Sequence, residues 1–133
     1  MLEGEPALTA GPRAGDRLPD AAIEVDGHPA YMQEAVIRNG LTLLLCGDPR
    51  AWDSTSLHEL RRRYGALVAT CNLSTDGADG SWRDVNGDAY LRLGVRDAAQ
   101  YLVRPDGYIA FRSAGRTFHA LDRYLAEWYL AAV

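Results

Sequence analysis

The sequence predicts an α/β fold: a central mixed sheet with a strand–helix–strand unit, then a β-hairpin and a C-terminal helix. Two largely apolar runs, Leu41–Cys46 and Leu67–Leu73, enclose a helix-patterned stretch; such runs suit strands buried on both faces of a parallel sheet. Gln100–Arg104 and Tyr108–Arg112 flank Pro105-Asp106-Gly107. Proline presets one turn dihedral and glycine takes a positive one, so these segments form a hairpin. Phe118, Leu121, Leu125 and Trp128 then recur at helical spacing, predicting a final helix with those four buried and Arg123 and Glu127 in water.

The remaining elements follow in order. Gly15–Asp20 reads as a loop that enters an extended segment, Ala22–Val25, and Asp26-Gly27 makes a turn. Ala30–Arg38 is predicted as a short helix stopped by Asn39-Gly40. After the first apolar run, Asp53 or Ser54 caps a helix whose buried face carries Leu57, Leu60 and Tyr64, and Gly65 ends it. The connection between the two apolar runs is long enough for a parallel crossover, which is nearly always right-handed. Ser74–Asp88 is polar and glycine-rich, predicting a long surface loop, and Ala89–Val95 a helical turn. Thr117 is the candidate cap of the last helix.

A chain of 133 residues suits one domain. We place a flexible tail over residues 1–12 and the domain over 13–133. At this size a fold buries roughly two-thirds of its unfolded surface, so it needs neither disulfide nor metal. The formal net charge of -4 argues against nucleic acid, where cationic contacts to phosphate dominate. Arg61-Arg62-Arg63, beside Glu59, reads as a solvated helix face. No apolar stretch approaches the ~20 residues of a membrane helix, and the acidic N-terminus lacks the apolar core of a secretory signal. Two cysteines are too few for a disulfide framework, and a reducing, cytoplasmic setting is predicted.

The order of elements is that of the thioredoxin fold, and two segments carry a narrower resemblance. Gly11-Pro12-Arg13-Ala14-Gly15-Asp16-Arg17-Leu18-Pro19-Asp20 resembles the opening of the C-terminal domain of FAD-dependent aromatic-ring hydroxylases, the phenol hydroxylase and polyketide-tailoring monooxygenase type. Tyr101–Arg112, with its Leu-Val-Arg-Pro-Asp-Gly core, is similar to the hairpin near that domain's end, and Leu41–Gly47 to its Leu-rich strand. The resemblance implies a thioredoxin-like domain that serves packing or oligomer contacts, with a homodimer or a flavoprotein hydroxylase as partner. It implies FAD only in the related full-length enzymes. A dinucleotide site needs Gly-x-Gly-x-x-Gly, which the sequence lacks, so no cofactor residue is carried over and no cofactor is expected in this chain. The chain is either a stand-alone relative or a piece of a longer hydroxylase.

Redox chemistry on this fold needs a cysteine pair at the helix start, where the helix N-terminus stabilises thiolate. Here that stretch is Asp48-Pro49-Arg50-Ala51-Trp52-Asp53-Ser54, with no thiol. The proline that precedes the hairpin in thioredoxins is replaced by Asp97-Ala98-Ala99. Cys46 and Cys71 end neighbouring strands and are either a redox-sensitive thiol pair or two small buried hydrophobes. His28, His58 and His119 have no metal-ligand spacing. Ser54, Ser56 and His58 lack a nucleophile elbow. Asp84–Asp88 has alternating oxygens but lacks the glycine and glutamate of a calcium loop, and reads as a solvated turn. Trp52, beside Arg50, and Trp82 stand in loops that could share one end of the sheet, either contacting a ligand or partner or capping the core. Three functions follow: a non-catalytic docking or oligomerisation domain, a thiol-dependent oxidoreductase using Cys46 or Cys71, and a binder of small aromatic ligands. The absence of a catalytic constellation favours the first.

Overall fold

A computed structural model describes residues 11–47, 50, 52–75, 82–95, 98–114 and 117–129. Its centre is β3 (Leu41–Cys46), in which every residue is buried. It pairs parallel with β4 (Val68–Ser74), Leu44 facing Cys71, and antiparallel with β6 (Ala99–Val103), Leu44 facing Tyr101. A strand flanked on both sides and covered on both faces keeps no edge or face in water, which is why its sequence is almost continuously apolar. β4 is less enclosed: Val68, Leu73 and Ser74 are buried and the middle of the strand is half-buried. Between them runs α2 (Ser54–Tyr64), with Leu60 and Tyr64 buried and Leu57 packed against the same cluster. The hairpin is as expected, β6 with β7 (Ile109–Ala114).

The sheet has seven strands in the order β2-β1-β5-β4-β3-β6-β7, where β1 is Ala22–Val25, β2 is His28–Tyr31 and β5 is Trp82–Asp84. Strand alternation divides the core into two clusters. Leu44, Cys46, Tyr101 and Val103 face one way, under Leu18, Met32, Ala89 and Leu93. Leu43, Leu45 and Leu102 face the other, under Leu60, Tyr64, Leu121 and Leu125. Thus α1 (Met32–Ala35) and α3 (Asp88–Leu93) cover one face, and α2 and α4 (His119–Tyr129) the other.

Four expectations need correction. The helix expected over Ala30–Arg38 is a strand followed by one helical turn. Asp26 and Gly27 both take positive φ (51° and 80°), the geometry of a tight hairpin turn, and Ala22 pairs with Tyr31. Pairing to β1 outweighs helical pattern there, and Pro29 is tolerated because β2 is an edge. The loop expected over Ser74–Asp88 contains β5, which joins β4 to β1. The turn expected over Asp84–Asp88 is exposed at Asn86 and Gly87, but Asp84 itself is buried: its carboxylate accepts from Ala89 N (2.8 Å) and Tyr90 N (3.0 Å) at the start of α3. Trp128 does not complete the buried stripe of α4; it is 66% exposed, its ring tilted against Tyr124.

The N-terminal segment is tied to the hairpin. Gly15 N donates to Ile109 O and Ile109 N to Asp16 O, each at 2.8 Å, and Arg17 bridges Tyr108. Arg112 donates to the carbonyls of Gly11 and Pro12. Residues 1–10 of the expected tail lie outside the described residues. The hairpin turn is held from beneath by Gln33, whose Nε2 donates to Leu18 O (2.7 Å) and Gly107 O (3.2 Å). Gly107 has φ of 87°, and a Cβ there would meet the Gln33 side chain.

The two ends of the α4 stripe should therefore respond differently. Leu121→Ala, at a fully buried site, should lower the unfolding free energy by about 2–5 kcal/mol. Trp128→Ala should change it by no more than about 0.5 kcal/mol. Urea denaturation followed by circular dichroism makes the comparison.

Candidate functional site

The C-terminal end of β3 and the start of α2 form the place where the thioredoxin resemblance puts a cysteine pair. Asp48, Pro49 and Ala51 lie outside the described residues, as does Asp97. At the helix start itself Asp53 is the cap: its carboxylate accepts from Ser56 N at 3.1 Å and from Ser56 Oγ at 2.5 Å. These bonds, the hydroxyl foremost, hold the Asp53 carboxyl below its ordinary range. A helix N-terminus stabilises whichever anion sits there. Here that anion is a carboxylate from the chain itself, bonded to the Ser56 N–H.

Trp52 precedes this cap. It is 5% exposed and stacks on Phe118 with ring centroids 5.4 Å apart, and its indole Nε1 has no partner among the described residues. Trp82 is equally buried, but in β5 and in the opposite core cluster. The two indoles therefore line no common surface; each seals one side of the sheet. Arg50 is exposed beside the cap. A cleft of about 210 Å³ lies between α2 and α4, with Leu60 and Phe118 as its apolar part and Glu59, Arg63, Asp122 and Ser56 around it. Arg63 and Asp122 are ion-paired there at 2.8 Å. Neither indole lines this cleft.

Both cysteines are free, and both point into the cluster under α1 and α3. The register sets Leu44 against Cys71 and Cys46 against Leu73, so the thiols are diagonal neighbours. Burial pushes both thiols up: Cys46 far above its usual range, with Cys71 and Asp84 adding to the effect, and Cys71 to about 11. Each is thus a protonated thiol at neutral pH, the poorly nucleophilic form. No group of three or more His, Cys, Asp or Glu among the described residues could hold a metal ion.

Three residues with structural importance had little signal in the sequence. Tyr90 OH donates to Leu73 O and accepts from Gly47 N, each at 2.7 Å, tying α3 to the ends of β3 and β4. Gln33 reaches the hairpin turn across 74 positions of sequence. Asp84 had the one usable clue, a short carboxylate just ahead of a helical turn.

The family model "Aromatic-ring hydroxylase, C-terminal" matches residues 11–132. A 4-methyl-5-nitrocatechol 5-monooxygenase from Burkholderia sp. is 32% identical over 111 residues, which are 83% of this chain and 19% of that protein. Among solved structures, the flavin-dependent monooxygenase PieE, in complex with FAD and substrate, superposes with a TM-score of 0.69 at 28% identity, covering 86% of this chain and 19% of that one. A thiol peroxidase from Chromobacterium violaceum superposes with a TM-score of 0.70 at 16% identity over 92% of this chain and 91% of its own, a likeness of fold alone. The fold is thioredoxin-like. The chain spans about a fifth of the length of the monooxygenases that it matches.

Two outcomes follow from the site. Asp53→Ala should lower the melting temperature at pH 7. A carboxyl depressed by folding stabilises above its unfolded pKa, and that contribution is lost as pH falls through the folded value. The difference between wild type and Asp53→Ala should therefore shrink below pH ~4. With a thiol at about 11, Cys71 should react with Ellman's reagent at pH 7 at least ~100-fold more slowly than free cysteine. Cys46 should react only on unfolding.

Proposed function

Because the chain belongs to the family of aromatic-ring hydroxylase C-terminal domains, we propose that it is a non-catalytic, thioredoxin-like packing domain that docks on the flavin-binding body of an aromatic hydroxylase. The observation that carries this reading is the helix start of α2. The fold keeps the position where its redox relatives place a thiolate, and fills it with the Asp53 carboxylate and the Trp52–Phe118 stack. A scaffold whose reactive end is closed by its own side chains can still present surface.

In this reading FAD and the aromatic substrate bind the body, and none of the residues here contacts the flavin. The missing dinucleotide fingerprint supports that division. Two free cysteines support a reducing, cytoplasmic setting. No helix among the described residues is long and apolar enough to cross a membrane. Self-association into a homodimer is the competing use of the same exposed surface, and the sedimentation mass of the isolated chain distinguishes the two. The thiol-dependent alternative is disfavoured by the full burial of Cys46 and the partial burial of Cys71, and the aromatic-ligand alternative by the separation of Trp52 from Trp82.

A chimera tests the docking reading. This chain replaces the matched part of the Burkholderia 4-methyl-5-nitrocatechol 5-monooxygenase. The chimera should retain FAD, unfold in a single calorimetric transition, and keep both properties with Cys46→Ala and Cys71→Ala together. Loss of FAD, or separate unfolding of the domain, would overturn the reading.

A further inference from the structure

The turn between β5 and α3 has Asn86-Gly87 at its middle. Both residues are exposed, and both take positive φ, 60° at Asn86 and 75° at Gly87. The backbone bonds of the turn run from Asp88 N to Val85 O (3.3 Å) and from Leu91 N to Gly87 O (3.1 Å); neither engages Gly87 N. A Cβ built at Gly87 would meet nothing within 4 Å. The chain holds a second such pair, Asn39-Gly40, in a different setting. Asn39 is exposed, but Gly40 is buried, and a Cβ there would lie 2.7 Å from Leu67 O. The next residue, Leu41, donates to that same carbonyl at 2.8 Å and begins β3.

An asparagine followed by glycine loses its side-chain amide without an enzyme. The glycine N–H gives its proton to solvent, and the nitrogen attacks Asn Cγ. The new C–N bond closes a cyclic imide, and the side-chain nitrogen leaves as ammonia. Water, the only co-reactant, then opens the ring. Cleavage at Cγ gives aspartate; cleavage at the main-chain carbonyl gives isoaspartate, in which the chain runs on through Cβ and Cγ. Glycine permits the attack because it has no Cβ to obstruct it and its backbone moves freely. Ring closure also requires rotation about the bond between the asparagine Cα and its carbonyl. At Asn86 that rotation leaves a conformation that non-glycine residues rarely populate, and Gly87 has open space around it. At Asn39 the same rotation must pull Gly40 off the Leu67 carbonyl and strain the first hydrogen bond of β3.

We propose that Asn86-Gly87 is a site of spontaneous deamidation in the folded protein, that the fold shields Asn39-Gly40 from the same reaction, and that isoaspartate at position 86 loosens the start of α3. The consequence follows from what the turn connects. Only residues 85–87 separate the end of β5 from the start of α3. Across that span the buried Asp84 carboxylate accepts from Ala89 N (2.8 Å) and Tyr90 N (3.0 Å). Aspartate at position 86 leaves the length of the main chain unchanged. Isoaspartate adds one carbon to it, between the carboxylate and the N–H groups that it holds. Tyr90 OH in turn donates to Leu73 O and accepts from Gly47 N, so slack in this turn reaches the ends of β3 and β4. The reaction involves this chain and water alone, and is independent of the docking reading.

The test incubates the 133-residue chain in mildly alkaline buffer, folded and, in parallel, unfolded in urea, and follows both asparagines by peptide mass spectrometry. In urea they should convert at similar rates, since glycine follows each. In the folded chain Asn86 should convert several-fold faster than Asn39, with isoaspartate among its products. Asn86→Ser should form no acidic product at this position. The isolated isoaspartate form should melt below Asn86→Asp, which carries the same charge on an unaltered main chain. If Asn86 in the folded chain converts no faster than Asn39, or does not convert at all, the site is wrong. If the isoaspartate form melts together with Asn86→Asp, the site stands and its effect on α3 is overturned.

Discussion

The burial of β3 on every side is the constraint on which the rest of the structure depends. Leu41–Cys46 has β4 on one edge, β6 on the other and a helical layer over each face. A strand with no contact to water cannot be stabilised by local pairing alone, since its apolar side chains need both layers. Alternation along those six residues assigns Leu43 and Leu45 to α2 and α4, and Leu44 and Cys46 to α1 and α3. The same alternation fixes Tyr101 and Leu102 on β6, because a shift of one residue would turn each side chain to the opposite face.

This arrangement explains how a thioredoxin-like scaffold accommodates a helix start without a thiol. The electrostatics that favour an anion at the start of α2 come from its backbone, so they remain whatever residue is present. In this chain they are satisfied by Asp53, and the neighbouring space is closed by Trp52 on Phe118. The two thiols that the chain does have sit elsewhere, Cys46 within the opposite layer and half-buried Cys71 against it, where desolvation keeps them protonated. There they act as small apolar side chains within the cluster of Leu44, Leu73 and Tyr101.

The two layers are also unequal in how they meet the hairpin. α4 packs on β7 through side chains, with Phe111 against Tyr124 at 5.4 Å. The other layer grips the turn by hydrogen bonds from Gln33, from Leu18 N to Gly107 O and from the segment before it. The Arg-Pro-Asp-Gly turn is thus a junction of α1, the N-terminal segment and the β6–β7 hairpin. That offers a structural reason for its glycine, which has positive φ and no room for a Cβ over Gln33.

Sequence alone determined the parts whose causes are local. Apolar runs bounded by Gly47 and Gly65 gave the strand–helix–strand unit; Pro105-Asp106-Gly107 gave the hairpin; Asp53 gave the cap; the absence of a thiol at the start of α2 was visible without coordinates. The family resemblance rested on the same local motifs and was borne out. Tertiary structure decided whatever depends on partners distant in the chain. His28–Tyr31 is a strand because Ala22–Val25 lies beside it, and Trp82–Asp84 is one because β4 and β1 both offer edges. Trp128 has the spacing of a buried residue yet is 66% exposed, its ring tilted against Tyr124. Trp52 and Trp82 looked like neighbours because both follow parallel strands, yet the sheet stands between them. Periodicity records which side of an element is apolar; only packing settles what, if anything, covers it.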